Sequence, residues 1–138
     1  MTGPMADEED SVLSANAAFY AAFARRDLDA MDALWTRSGP VCCIHPGWGG
    51  LHDRDAVLAS WASIFAGDEE PAIRCVDPHV RVDGDAATVI CEEVLGEARL
   101  VATNVFVRDG ERWQLWHHHA GPIARRVPRR RERGPLLN

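Results

Sequence analysis

The sequence predicts a small α+β domain, and three observations carry that prediction. Apolar residues in the first half recur at helical spacing, those in the second half alternate at strand spacing, and Asp-Gly or Gly turns separate the strand-like runs. A chain of 138 residues fits one domain with one core. Three helices followed by a run of hairpins imply helices packed on one face of a mainly antiparallel sheet.

The first helix is expected from about Ser11 to Arg26, with Val12, Ala15, Phe19, Ala22 and Phe23 on one stripe. Asp27 is placed to cap a second helix in which Leu28, Met31, Leu34 and Trp35 repeat on one face. Val41 to His45 forms a short β-rich run, stopped by Pro46-Gly47. Asp53 caps a third helix with Val57, Leu58, Trp61, Ile64 and Phe65 inward, ended by Gly67 in a left-handed conformation. Ile73 to Val82 forms a strand in which Asp77-Pro78 marks an edge or a bulge. Asp83-Gly84 turns into Ala86–Leu95, Gly96 leads into Leu100–Val107, and Asp109-Gly110 turns into Trp113–Ala120.

Pairing across the last turn sets which residues face inward. Phe106 is expected opposite Trp113, Asn104 opposite Leu115 and Ala102 opposite His117. Leu100, Ala102, Asn104, Phe106, Trp113, Leu115, His117 and His119 then share the inner face, and His118 points outward. Because the outer face is also largely apolar, a homodimer packed sheet to sheet is expected.

Composition excludes several functions. All 15 basic residues are Arg, so Schiff-base chemistry and Walker-type phosphate binding, which need a Lys amine, are out. The net charge of −6 hides a basic tail: residues 124–138 hold six Arg and one Glu, and the rest of the chain is strongly acidic. That balance argues against a nucleic-acid-binding domain surface. The four Cys form no C-x-x-C pair and read as free thiols. An acidic start without a signal-peptide pattern, and the lack of any apolar run near membrane-spanning length, point to a cytoplasmic protein with no membrane role. Residues 1–10 are expected to be a flexible acidic N-terminus, 11–123 the domain, and 124–138 a disordered Arg-rich tail.

Specific residues also resemble a known superfamily. The run Ala15-Asn16-Ala17-Ala18-Phe19-Tyr20-Ala21-Ala22-Phe23, followed by Asp27-Leu28-Asp29 and Leu34-Trp35, resembles the opening helices of nuclear transport factor 2-like domains. His45-Pro46-Gly47-Trp48, Ser60-Trp61, Ala102-Thr103-Asn104-Val105-Phe106 and Trp113-x-Leu115-x-His117-His118-His119 resemble the SnoaL-like branch of that superfamily. The resemblance implies a curved sheet wrapped around a long helix, forming a cone that binds a small apolar molecule, usually as a dimer. Ketosteroid isomerase is a relative whose base is an Asp followed by Pro; His45-Pro46 stands at that position here. The relative's Tyr position falls at Phe19, with Tyr20 one place along, and its Asp position falls near Thr103 or Asn104. Base and donors all depart from the relative's pattern, so steroid isomerisation as such is not expected.

The candidate catalytic residues are therefore His45 as base, with Asn104 or His119 as oxyanion donor. Phe19, Trp35, Trp48, Trp61, Glu92 and His117 are the candidate ligand-binding residues. Each has a plainer reading: Trp35 and Trp61 as core, Asn104 as a backbone-satisfied amide, His45 as a structural ring. One of Glu92 and Glu93 must face each side of its strand, and a buried carboxylate there could act as an acid. Three readings stay open: a cofactor-independent isomerase, cyclase or dehydratase using proton transfer on an apolar carbonyl compound; a non-catalytic ligand-binding or dimerisation module; and a metal site built from His45, His117 and His119. No organic cofactor is expected, because the chain lacks a Gly-rich phosphate loop.

Overall fold

A computed structural model describes residues 4–67 and 72–128. Three helices, α1 (Pro4–Arg25), α2 (Leu28–Leu34) and α3 (Arg54–Phe65), pack on one five-stranded sheet. The strands are β1 (Cys42–Ile44), β2 (Ile73–Asp83), β3 (Ala86–Leu95), β4 (Ala98–Asp109) and β5 (Arg112–Pro122), in the order β1-β5-β4-β3-β2. β2 to β5 form an antiparallel meander, while β1 joins the far edge parallel to β5. No described helix is long and apolar enough to cross a membrane.

The expected start of α1 moves upstream, from Ser11 to Pro4. Residues 4–10 therefore belong to a helix rather than to a flexible segment. Pro is well tolerated in a first helical turn, where its missing N–H has no intrahelical partner to lose. Glu8 then pairs with Arg108 of β4, which also reaches Asp85 at 3.3 Å and lies 4.4 Å above the Trp113 ring. This contact ties the first turns of α1 to the sheet, and a reading of helical periodicity alone does not contain it.

Both Asp caps form as the sequence implies. Asp27 accepts from the Ala30 N–H at 3.1 Å and Asp53 from the Ala56 N–H at 2.8 Å. Asp53→Ala should lower unfolding free energy by about 1 kcal/mol, measured by urea denaturation. The other end of α3 differs from expectation. Gly67 is not left-handed, because the N–H groups of Ala66 and Gly67 already close the last turn on Ala62 and Ile64.

All three hairpins use the same turn. Gly84, Gly96 and Gly110 take φ of 66°, 64° and 68°, and each is followed by an acidic residue without positive φ, the pattern of a II′ turn. The last loop is therefore Gly110-Glu111, one residue later than the sequence suggests, and Phe106 pairs with Leu115 instead of Trp113. Beyond that pair the register slips, so that Val105 faces His117 and Trp116 is the extra residue of a β-bulge. A one-residue bulge exchanges the faces of everything after it. His118 and Ala120 consequently point inward, and His117 and His119 point outward. The Asp77-Pro78 pair behaves as expected: it sits at a bulge between Val76 and His79 on edge strand β2.

Candidate functional site

The core beneath α1 is aromatic at its centre and polar at one end. Phe19, Met31, Trp35, Trp61, Phe106 and Leu115 are fully buried. Above them opens a cavity of about 380 Å³ between the C-terminal ends of α1 and α3, the loop after β1, and the inner sheet face. Phe23, Ile64, Phe65, Ile73, Leu95 and Leu100 make its walls apolar. The polar groups lining it include His45, Glu93 and His118, while Arg26 sits at the rim and donates to the Gly67 carbonyl.

Behind Glu93 and His118 runs a buried hydrogen-bond chain. Nδ1 of His118 lies 2.6 Å from Oδ1 of Asn104. The Asn104 amide donates to Oδ1 of Asn16 at 2.9 Å and to the Tyr20 hydroxyl at 3.1 Å. Tyr20 in turn donates to Oε2 of Glu93 at 2.6 Å and contacts the Cys91 thiol at 3.4 Å. Nε2 of His118 lies 3.9 Å from the same Glu93 oxygen. Such a chain is maintained only while every member is satisfied, and it rigidifies the end of the cone where it sits.

Burial sets the protonation states. It lifts the Glu93 carboxyl above its ordinary range, against the opposing pull of the Tyr20 hydrogen bond. It also raises Tyr20, which Glu93 and Cys91 reinforce, so the phenol keeps its proton. His118 is pushed down to about 3 by burial and by the neighbouring imidazoles, and His45 to about 4 by burial. Burial thus opposes charge on both groups: His118 is neutral near neutral pH, and Glu93 keeps its proton to higher pH than an ordinary carboxyl.

His45 is held at the mouth of the cavity. Its Nε2 lies 2.8 Å from the Ser60 hydroxyl, and that hydroxyl donates its single proton to the Val57 carbonyl at 2.6 Å. Ser60 can then only accept from the ring, so Nε2 carries the His45 proton and Nδ1 keeps its lone pair. The ring packs edge-on against Trp48 and Trp61, each at 4.7 Å, and lies 6.4 Å from His118.

These pKa values make acid stability testable. A His whose pKa is depressed on folding contributes stability that is complete above its unfolded value of 6.5 and is lost as pH falls. Holding His45 at about 4 corresponds to on the order of 3 kcal/mol, and His118 adds to it. The Glu93 contribution has the opposite sign: it is complete at low pH and is lost as pH rises through its elevated folded pKa. Urea midpoints should therefore fall between about pH 6.5 and pH 4, and His118→Gln should flatten that slope.

The structure brings only some of the expected residues to the cavity. His45 and Trp48 line it, and Asn104 lies directly behind it; Trp48 is 45% exposed. Phe19, Trp35 and Trp61 are core side chains rather than lining, and Trp61 touches His45 from behind. Three placements are corrected. His119, expected as an inner donor, is exposed on the outer face, because the Trp116 bulge reverses the end of β5. For the same reason His117 lines an outer-face groove with Cys42, Thr103, Val105 and Trp116, while His118 takes the inner position. Glu92 also points outward, held by Arg99 and Arg126, and these guanidinium groups lower its pKa to about 2. The carboxylate in the cone is Glu93, in phase with inward-facing Ala87, Val89 and Cys91. The three-His set of His45, His117 and His119 is not assembled. Among the described residues no group of three His, Cys, Asp or Glu side chains could hold a metal.

Sequence reasoning placed Tyr20 only as a neighbour of the relative's Tyr position, and it passed over Asn16 and Ser60 as polar partners. Spacing did hold a usable signal for the first two. Asn16 and Tyr20 lie four apart on the α1 face that carries Val12 and Phe19, so two polar side chains occupy a buried stripe.

Comparison with known proteins agrees with this architecture. A family model described as a SnoaL-like domain matches residues 12–125. A proposed dehydratase of the nuclear transport factor 2-like family from Streptomyces avermitilis is 39% identical, with a TM-score of 0.77, over 86% of this chain and 98% of that one. A protein described as a ketosteroid isomerase-like protein, from Erwinia carotovora atroseptica, shares the fold with a TM-score of 0.69 at 21% identity, over 86% of this chain and 98% of that one. Among curated proteins, the F-box protein SKIP8 of Arabidopsis thaliana is 29% identical over 112 residues, which are 80% of this chain; the chain spans about half (48%) of that protein's length. The matched family model and the shared fold place the chain in the SnoaL-like family, within the nuclear transport factor 2-like superfamily.

Proposed function

We propose that the protein is a cofactor-independent acid–base enzyme that dehydrates a small, neutral, largely apolar β-hydroxy carbonyl compound. The observation that carries this reading is the convergence of a carboxyl group lifted above its usual range, Glu93, and a neutral imidazole, His118, on one apolar cavity. A carboxyl tuned upward and an imidazole kept neutral are what proton donation and proton abstraction at one site require. The likeness to a proposed dehydratase at 39% identity favours dehydration over isomerisation.

The steps balance with these two groups. Nε2 of His118 removes the proton on the carbon next to the carbonyl, and the freed electron pair forms the new C=C bond. The C–O bond at the neighbouring carbon breaks, and the Glu93 proton leaves with the hydroxyl as water. His118 is then cationic and Glu93 anionic, and a proton returned from the imidazolium to the carboxylate through water restores both. The attraction between opposite charges 3.9 Å apart offsets part of the desolvation cost of the charge-separated state formed as the proton moves. His45 contributes its Nδ1 lone pair at the mouth, orienting the substrate hydroxyl. A charged group placed beside His45, Glu93 and His118 would lose its hydration without a counter-charge from them, and Arg26 lies only at the rim.

The test is dehydration of the aldol adduct of acetone and benzaldehyde, followed by the near-ultraviolet absorbance of the conjugated product. Turnover above buffer that His118→Phe abolishes is the expected result. Binding of the adduct without turnover would instead assign a ligand-binding module. Because the free site holds His118 and His45 at about 3 and 4, kcat/KM should rise only through that acid range. It should then fall on the alkaline side as Glu93 loses its proton.

We also propose that the outer sheet face pairs with a second copy. Ile90 and Val101 stand 46% and 43% exposed on it, an unusual arrangement for large aliphatic side chains on adjacent strands. Val101→Arg should convert a dimer to a monomer in light scattering. A wild-type monomer would refute the pairing.

A further inference from the structure

We infer that Asn104 is a positioning residue that locks His118 in the Nδ1–H tautomer, so that the Nε2 lone pair is the one presented to the cavity. The inference deepens the proposed chemistry and rests on it for its functional meaning, though its geometry stands apart from any reaction.

The argument starts from donor counting. An Asn amide has two N–H donors on nitrogen and accepts at oxygen. Nδ2 of Asn104 is surrounded by two oxygens, Oδ1 of Asn16 at 2.9 Å and the Tyr20 hydroxyl at 3.1 Å. Both amide protons are therefore committed. The Tyr20 hydroxyl has its own proton directed at Glu93, 2.6 Å away, so toward Asn104 it accepts. Asn16 in turn spends its N–H on the Cys75 sulfur at 3.6 Å, which leaves its oxygen as the acceptor. Oδ1 of Asn104 is then the atom facing His118, at 2.6 Å, and it can only accept. The ring must donate from Nδ1, and a neutral imidazole carries one proton, so Nε2 is bare. Asn104 and His118 are both fully buried, and water does not compete for these bonds.

Every donor in the chain points the same way: His118 to Asn104, Asn104 to Tyr20, Tyr20 to Glu93. That direction matters when charge develops. A proton arriving at Nε2 strengthens the Nδ1–H bond to Asn104, and a proton leaving Glu93 strengthens the Tyr20 bond to the carboxylate. The chain's hydrogen bonds thus strengthen as charge develops, which lowers the cost of the charge-separated pair without moving an atom. An amide cannot relay a proton, so Asn104 separates acid from base while orienting the base.

The test is a long-range nitrogen–proton NMR spectrum of the imidazoles in uniformly ¹⁵N-labelled protein near neutral pH, with His118 assigned by loss of its signals in His118→Gln. The expected result for the unsubstituted protein is one tautomer, with a protonated Nδ1 and a bare Nε2. Asn104→Leu should move the proton to Nε2, the form a free imidazole side chain prefers, and should lower kcat for the aldol adduct with little change in KM. Asn104→Asp, which retains an acceptor, should restore the Nδ1–H signal. An Nε2–H tautomer in the unsubstituted protein would overturn the inference outright, because it would mean both amides sit flipped. That reading requires only the assignment variant, His118→Gln, to fold. An unchanged tautomer in a folded Asn104→Leu would overturn it too. Absence of turnover with the expected tautomer would count against the enzyme and leave the orientation intact.

Discussion

Glu93→Gln should reduce dehydration turnover by roughly 10²–10⁴-fold, the usual worth of a positioned general acid. Gln keeps the size of the side chain and can still accept from the Tyr20 hydroxyl, so the buried chain of hydrogen bonds survives. What it loses is the proton that leaves with the substrate hydroxyl. Glu92→Gln, one residue away, should change turnover little, because Glu92 faces outward into Arg99 and Arg126. Steady-state rates of the two variants therefore compare the faces of one strand directly. Equal losses would mean that the carboxylates act through stability rather than chemistry.

Trp61→Ala should produce the largest loss of stability among the tryptophans, about 3–5 kcal/mol for a buried large-to-small change. Its ring is fully buried and lies at 4.9 Å from Phe23, 5.7 Å from Phe19 and Phe65, and 4.7 Å from His45. Truncation removes the back wall of His45 and leaves a void that the rigid helix α3 cannot close. Trp48→Ala should cost far less stability, since that ring is 45% exposed, and its effect should fall on ligand affinity instead. Chemical denaturation of both variants beside a binding titration separates the two roles.

Much of this architecture was legible in the sequence because local rules decide it. Asp27 and Asp53 are caps whose side chains bond backbone three residues on, and the turn glycines Gly84, Gly96 and Gly110 need no distant partner, although the last loop falls one residue later than its Asp-Gly pair suggests. The Asp77-Pro78 bulge follows from a residue that cannot donate to a ladder. The cone and its His45-Pro46 mouth entered through resemblance, and His45 and Trp48 do line the cavity.

The polar end of the cone was less legible, for a specific reason. Trp113-Gln-Leu-Trp-His-His-His carries bulky or apolar groups on both faces, so alternation gives no phase for β5. One extra residue at Trp116 then decides which histidine enters. Glu92 and Glu93 pose the same two-way choice on β3, and the long-range partner Tyr20 resolves it. The start of α1 likewise depends on a contact between Glu8 and Arg108, a hundred residues apart.

The central claim is that a protonated Glu93 shares the cavity with a neutral His118. Infrared difference spectra of the unsubstituted protein against Glu93→Gln, recorded across a pH series, test it most directly. The account predicts a protonated-carboxyl band, absent from the variant, that persists above the ordinary Glu pKa of 4.5. A Glu93 band that vanishes at or below pH 4.5 would contradict it, because the carboxyl would then ionise like an ordinary Glu and the site would hold no acid to give near neutral pH.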